Sequence, residues 1–218
     1  MKIKRILNLA LAGVILTITA SAQKKVKKTK GAKPQETGAE SYPWQNYKGP
    51  LKQNWFEMRS GLKNSQYIFE ETKKGTVAFV GGSITGMSWR KIVMANLKKR
   101  FPDTEFTFIL AGVGSTGTMY GAFRLDRDVI QKGKVDLLFE EAAVNDVAIL
   151  RTADQSLRGM EGIVRRARHA NPNMDIVMMH FACTDKLEDY EKGKTPSVIQ
   201  SFDKVADRKS TRLNSSHM

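Results

Sequence analysis

The run Gly81-Gly82-Ser83-Ile84-Thr85-Gly86 places one hydroxyl in a glycine-rich turn directly after an apolar segment. Two adjacent glycines let the backbone turn sharply. A serine there stands at the end of a strand, close to the start of the next helix. Backbone N–H groups and the positive end of that helix can stabilise an oxygen that is gaining negative charge. Ser83 could therefore attack a carbonyl carbon. A serine in this place can equally cap the helix, and the loop alone does not choose between the two. The spacing from Gly81 to Gly86 also matches a phosphate-binding loop. Met87 stands where such a loop needs its lysine, and no Gly-x-Gly-x-x-Gly with a following acid occurs, so nucleotide binding is disfavoured.

Two other segments offer polar groups at similar places. Ala111 to Gly117 is a loop rich in glycine and threonine, and Ala143-Val144-Asn145-Asp146 follows an apolar run. Asn145 by itself could be a turn residue at the start of a helix. What unites the three segments is the order of elements around them. Thr76 to Val80, Phe106 to Leu110, Val135 to Phe139 and Ile176 to Phe181 read as short buried strands. Ser88 to Phe101, Tyr120 to Lys132, Asp154 to Ala170 and a stretch beginning at Pro196 and running to Ala206 read as helices, with Pro102, Gly133 and Pro172 as stops. Glu140 to Asp146 reads as a loop. Strands and helices alternating over crossovers this short predict a mostly parallel sheet covered on both faces, a three-layer α/β/α sandwich. In such sheets the ligand site lies beyond the C-terminal ends of the strands. All three polar segments leave strands at that end. Residues 43–75 hold Trp44 and Trp55 and read as an N-terminal extension, helical from about Trp55 to Phe69.

These blocks resemble a known family. Val80-Gly81-Gly82-Ser83-Ile84-Thr85 is similar to the Gly-Gly-Ser-Ile variant of the first block of the SGNH/GDSL-type hydrolases. Ala142-Ala143-Val144-Asn145-Asp146 resembles the Asn-Asp block, and Ala111 to Gly117 falls where the family has its Gly block. Arg124-Leu125-Asp126-Arg127-Asp128 follows, as in members that resemble polysaccharide esterases. The likeness covers roughly residues 50–206. It implies a flavodoxin-like SGNH fold and a serine esterase that needs no metal or cofactor. It further implies that Ser83 is the nucleophile and donates its own N–H to the oxyanion. The second block's N–H, at Gly114 or Ser115, is implied as another donor and the Asn145 side-chain amide as a third. Ser115 stands at the usual Gly position, a departure that is tolerable because only the N–H is needed.

A serine hydroxyl needs a base. The family takes it from an Asp-x-x-His pair near the chain end. The three histidines here are His169, His180 and His217, and Val177 stands three residues before His180. His180 alone lies on the correct side of the sheet, where packing or lining the site suits it better than acting as base. The expectation is that the chain as given lacks the Asp-x-x-His block together with the last strand and helix, and so turns over slowly or not at all.

The two ends have their own character. Lys2, Lys4 and Arg5, a mainly apolar run from Leu7 to Ile18, and Ala20-Ser21-Ala22 read as an export signal over residues 1–22. The run is short for a membrane span. Residues 23–42, with five lysines between Lys24 and Lys30, read as a flexible basic linker. Asp207 to His217 resembles, residue for residue, the translation of a common sequencing-library adapter, so residues 207–218 are expected to be read-through and the hydrolase-like domain to occupy 43–206. The net charge of +14 is concentrated in these ends: residues 43–206 carry 24 basic and 19 acidic side chains. Those charges are scattered without interleaved aromatics, which argues against a nucleic-acid partner. The single Cys183 forms no internal disulfide. The sequence thus predicts a secreted or periplasmic esterase acting on an acylated, in particular acetylated, carbohydrate. The alternatives are a lipid or small-ester hydrolase of the same fold and a non-catalytic glycan-binding relative.

Overall fold

Short runs of β-branched and aromatic residues form a parallel sheet. The strands are β1 (Lys74–Gly81), β2 (Glu105–Gly112), β3 (Leu137–Glu141) and β4 (Asp175–Met178). Their order is β2-β1-β3-β4, with every described pairing parallel. The helices are α1 (Lys63–Glu71), α2 (Trp89–Arg100), α3 (Thr118–Asp128), α4 (Ala143–Ala148), α5 (Ala153–Ala170) and α6 (Ser197–Ser215). The computed structural model describes residue 59, residues 61–181, residue 189 and residues 192–215, all within the unit spanning residues 58–218. The expected leader, the basic linker, the tryptophans at 44 and 55, Cys183 and His217 lie outside the described residues.

The sheet is the middle of three layers, as expected. On one face Ala78, Val80, Ile109 and Leu138 pack against Ala122 and Leu125 of α3 and Ile163 and Ala167 of α5. On the other, Phe79 stacks on Phe139 at 5.1 Å, and Trp89 of α2 stands edge-on to Phe79 at 5.6 Å. Phe69 of α1 closes the same layer, edge-on to Phe106 at 5.0 Å. Each large apolar side chain buried this way contributes about 1.5–3 kcal/mol. A third cluster joins α5 to α6 through Met160, Val164, Val198 and Phe202.

Most boundaries lie within a residue or two of those read from periodicity, and the exceptions are instructive. The third strand runs Leu137–Glu141 rather than Val135–Phe139, so Glu140 and Glu141 are strand residues and not loop. They pair with Val80 and Gly81 of β1. Ladder hydrogen bonds and burial between two neighbouring strands outweigh the loop preference of two acids. The helix expected over Tyr120 to Lys132 begins at Thr118 and stops at Asp128, with a separate 3-10 turn at Ile130–Lys132. Val129 between them drops into the core beneath the sheet. The fourth strand ends at Met178, so His180 and Phe181 lie beyond it. The helix expected near Trp55 begins, in the described chain, at Lys63.

Candidate active site

The turn that carries Ser83 is held from below. Gly81 closes β1 opposite Glu141 at the end of β3, and the Gly82 N–H donates to the Glu141 carbonyl at 3.1 Å. Gly81 has φ +155, and a β-carbon there would run into that same carbonyl oxygen. Ser83 then opens a 3-10 turn, Ile84–Gly86, and is exposed. Trp89 Nε1 donates to the Ile84 carbonyl at 2.7 Å and so ties the turn to the aromatic layer. The Ser83 side chain makes no cap hydrogen bond to the turn that follows it.

The Gly81 carbonyl is a junction for the second loop. It accepts from Val113 N at 3.0 Å and from Arg124 Nη2 at 2.9 Å. Arg124 in turn pairs with Asp128 at 3.0 Å. The resemblance included the Arg124 segment without a role for it. In the structure it reaches across from α3 and fixes the base of the Ser83 turn.

The structure brings the sequence-predicted residues together. Asn145, half-buried in the first turn of α4, lies so close to Gly82 that a β-carbon on that glycine would collide with its side-chain amide. Its Nδ2 donates one hydrogen to the Thr116 carbonyl at 2.7 Å; a primary amide carries a second. Gly114 is exposed, and a β-carbon there would stand 4.0 Å from Ser83 Cβ. Ser115 has φ +60, in the left-handed region. A non-glycine residue there costs about 1–2 kcal/mol, which is the physical sense of its standing where the family has a glycine. The three loops therefore converge on one surface at the C-terminal edge of the sheet.

Sequence reasoning gave no role to Asp146, which is fully buried. Its Oδ1 accepts from Thr118 N at 3.0 Å and its Oδ2 from the Thr118 hydroxyl at 2.6 Å. The carboxylate caps the N-terminus of α3 and ties the third loop to the second. Its signal in the sequence was the Asn-Asp pair itself: one polar side chain faces the site and its neighbour faces inward.

His180 is not joined to this cluster. Its ring lies 5.6 Å from that of Phe202 on α6, and its Nδ1 is enclosed without a hydrogen-bond partner among the described residues. Burial, with the positive charge of Arg59, pushes its pKa down to about 4. It is therefore neutral at pH 7, with its ring packed against Phe202. His169 is exposed at the end of α5, where the chain enters β4 at the opposite edge of the sheet. A cavity of about 230 Å³ lined by Ile130, Val135, Asn171 and Met174 also lies at that opposite edge and holds no reacting group.

The fold, a parallel sheet between helical layers, is shared with esterases and α/β hydrolases of known structure. A two-domain esterase active on acetylated mannans shares it with TM-score 0.54 and 25% identity, over 67% of this chain and 39% of that one. An α/β hydrolase enzyme from the metagenome of Lake Arreo, Spain, shares it with TM-score 0.51 and 16% identity, over 62% of this chain and 73% of that one. A further neighbour is AlinE4, an SGNH-hydrolase family esterase, with TM-score 0.49 and 17% identity, over 65% of this chain and 73% of that one. The chain thus spans about two fifths of the length of the mannan esterase. No protein-family model and no curated protein matches the sequence.

Proposed function

We propose that this chain carries the acyl-transfer site of an exported serine esterase that removes acetyl groups from a carbohydrate. The observation that carries the reading is the convergence of Ser83, Gly114 and Asn145, on three separate loops, around one exposed hydroxyl. Ser83 Oγ adds to the ester carbonyl while its proton passes to a base. The carbonyl oxygen becomes an oxyanion facing the N–H of Ser83, the N–H of Gly114 or Ser115, and the free amide hydrogen of Asn145. Collapse expels the sugar hydroxyl and leaves acetyl on Ser83, and water then releases acetate and restores the serine. The site uses no metal or cofactor in this scheme. The 25% identical neighbour, active on acetylated mannans, supports the substrate class, and the leader read at residues 1–22 supports export to the compartment where such polymers lie.

The base is a separate matter. None of the three histidines has an aspartate three residues before it. Among the described residues no hydrogen bond links Ser83 to a histidine. The 218 residues alone are therefore expected to turn over slowly.

The test pairs an activity-based probe with substrate. A fluorophosphonate should label Ser83, and Ser83→Ala should abolish labelling and reduce acetate release from acetylated mannan or xylan by roughly a thousandfold or more. Absence of labelling together with retained glycan binding would replace the esterase by a non-catalytic binding protein. A second reading, hydrolysis of lipid or small esters, has one observation in its favour. Tyr120, Phe123 and Leu150 are 51%, 72% and 88% exposed on the elements that follow the second and third loops. Phospholipid cleavage faster than acetate release would favour it.

A further inference from the structure

Two glutamates end β3 side by side, and they face opposite sides of the sheet. Both are buried, Glu140 at 0% exposure and Glu141 at 1%. Glu140, on the α3 and α5 side, has both carboxyl oxygens without a hydrogen-bond partner among the described residues. Burial first, then the charges of Glu141 and Asp146, push its pKa well above the ordinary carboxylate range. Glu141 sits beneath the Ser83 turn and is fully engaged. Its carbonyl takes the Gly82 N–H at 3.1 Å. Its Oε2 takes the Thr85 hydroxyl at 3.2 Å. One residue thus grips the chain on both sides of Ser83.

We propose that Glu141 is a positioning residue for the nucleophile. Its carboxylate, accepting the Thr85 hydroxyl while its backbone carbonyl accepts Gly82 N–H, holds Ser83 Oγ and the Ser83 N–H in the geometry needed for acyl transfer, and protonation of that carboxylate slackens the clasp. The proposal rests on the reading of Ser83 as the nucleophile. A carboxylate accepts hydrogen bonds roughly twice as strongly as a neutral acid does. Burial lifts the Glu141 pKa to about 7, against the opposing pull of the Thr85 hydroxyl. The clasp is therefore tight above about pH 7 and loose below it. The titratable and charged groups nearest this region are Glu140, next along the strand but on the other face of the sheet, Asp146 on α4, and Arg124 on α3. Arg124 is already committed to the Gly81 carbonyl and Asp128.

The experiment follows the backbone amides of Gly82, Ser83 and Thr85 by NMR across pH 5–9. In parallel, the rate of Ser83 phosphonylation by a fluorophosphonate is measured at saturating probe. In the unsubstituted chain the three amides should titrate together with a midpoint near 7, and phosphonylation should be faster on the alkaline side. Glu141→Gln keeps the shape and loses the charge. It should abolish that amide titration and lower the saturated rate by about tenfold with unchanged probe affinity. Glu141→Asp should restore part of the pH response, and Glu140→Gln, on the other face, should leave the amide titration in place. The proposal is overturned if the loop amides do not titrate near 7, or if they do and Glu141→Gln leaves the saturated rate unchanged. Failure of the Ser83 reading has a different signature. Phosphonylation would then not occur at Ser83 at all, while the amides would still report on the clasp.

Discussion

The exit of β1 and the exit of β4 lie at the same edge of one sheet, yet they are built differently. β1 has a neighbour on each side, β2 and β3. The turn that leaves it is hydrogen-bonded to both: Gly82 N to Glu141, and Val113 N to Gly81. Arg124 and Trp89 pin it from the two helical layers. Among the described residues β4 pairs only with β3, and its exit is held by a single ladder-like bond, Met179 N to the Glu140 carbonyl at 2.8 Å. Beyond that, His180 and Phe181 rely on ring contacts with Phe202 and Trp89. The difference shows which exit the fold makes rigid. The loops at the centre of the sheet are buttressed from both neighbouring strands and both helical layers, as the proposed oxyanion donors would need. Among the described residues, none at the exit of β4 is hydrogen-bonded to Ser83.

If the central loops are the rigid half of the site, the largest effect belongs to Asn145. Asn145→Ala should lower the rate of acyl transfer or phosphonylation by about a hundred- to a thousandfold. Chemical denaturation should move by no more than the loss of its bond to Thr116, about 1 kcal/mol. A rate within threefold of the parent chain would remove Asn145 from the oxyanion site. Next comes the buttress itself. Asp146→Ala leaves the Thr118 N–H and hydroxyl buried without their acceptor, and urea unfolding should show a loss of about 2–4 kcal/mol. A loss below 1 kcal/mol would mean that the second and third loops are held together by something other than this carboxylate.

The smallest effect is expected at the β4 exit. His180→Phe should change the rate by less than threefold, since the ring packs and does not transfer protons; a loss of a hundredfold would make His180 the base. Its signature is in stability instead. The folded pKa of His180, about 4, lies below the ordinary value of about 6.5, so the unfolded chain binds the proton first as pH falls. The parent should therefore lose up to about 3 kcal/mol between pH 6.5 and pH 4, and His180→Phe should lack that component. Thermal unfolding of the two proteins over that window compares them directly.

Much of the comparison was legible before any coordinates. Period-two and period-3.6 apolar patterns with proline and glycine stops located the four strands and most of the helices, because those patterns are what a core demands locally. The convergence of the loops carrying Ser83, Gly114 and Asn145 was legible for a related reason. Parallel topology sends every strand exit to the same edge, so residues far apart in sequence share a surface once the strands are known. Glu140 and Glu141 were misread as loop because a charged residue carries no local sign of burial. Only pairing with β1, and for Glu140 also with β4, places them in the strand. Arg124 and Asp146 were visible as residues but not as struts, since each makes its bond with a residue 43 or 28 positions away.

The sequence by itself determined the layered α/β architecture, the edge at which chemistry could occur and the residues able to attempt it. These follow from local periodicity and from the single way parallel strands can be connected. Tertiary structure decided which carboxylates are buried and what they bond: Asp146 to Thr118, Glu141 to Thr85, and Glu140 to no partner among the described residues. It also placed the His180 ring against Phe202. Those roles depend on burial and on partners brought close by folding, and neither is written in the neighbouring residues.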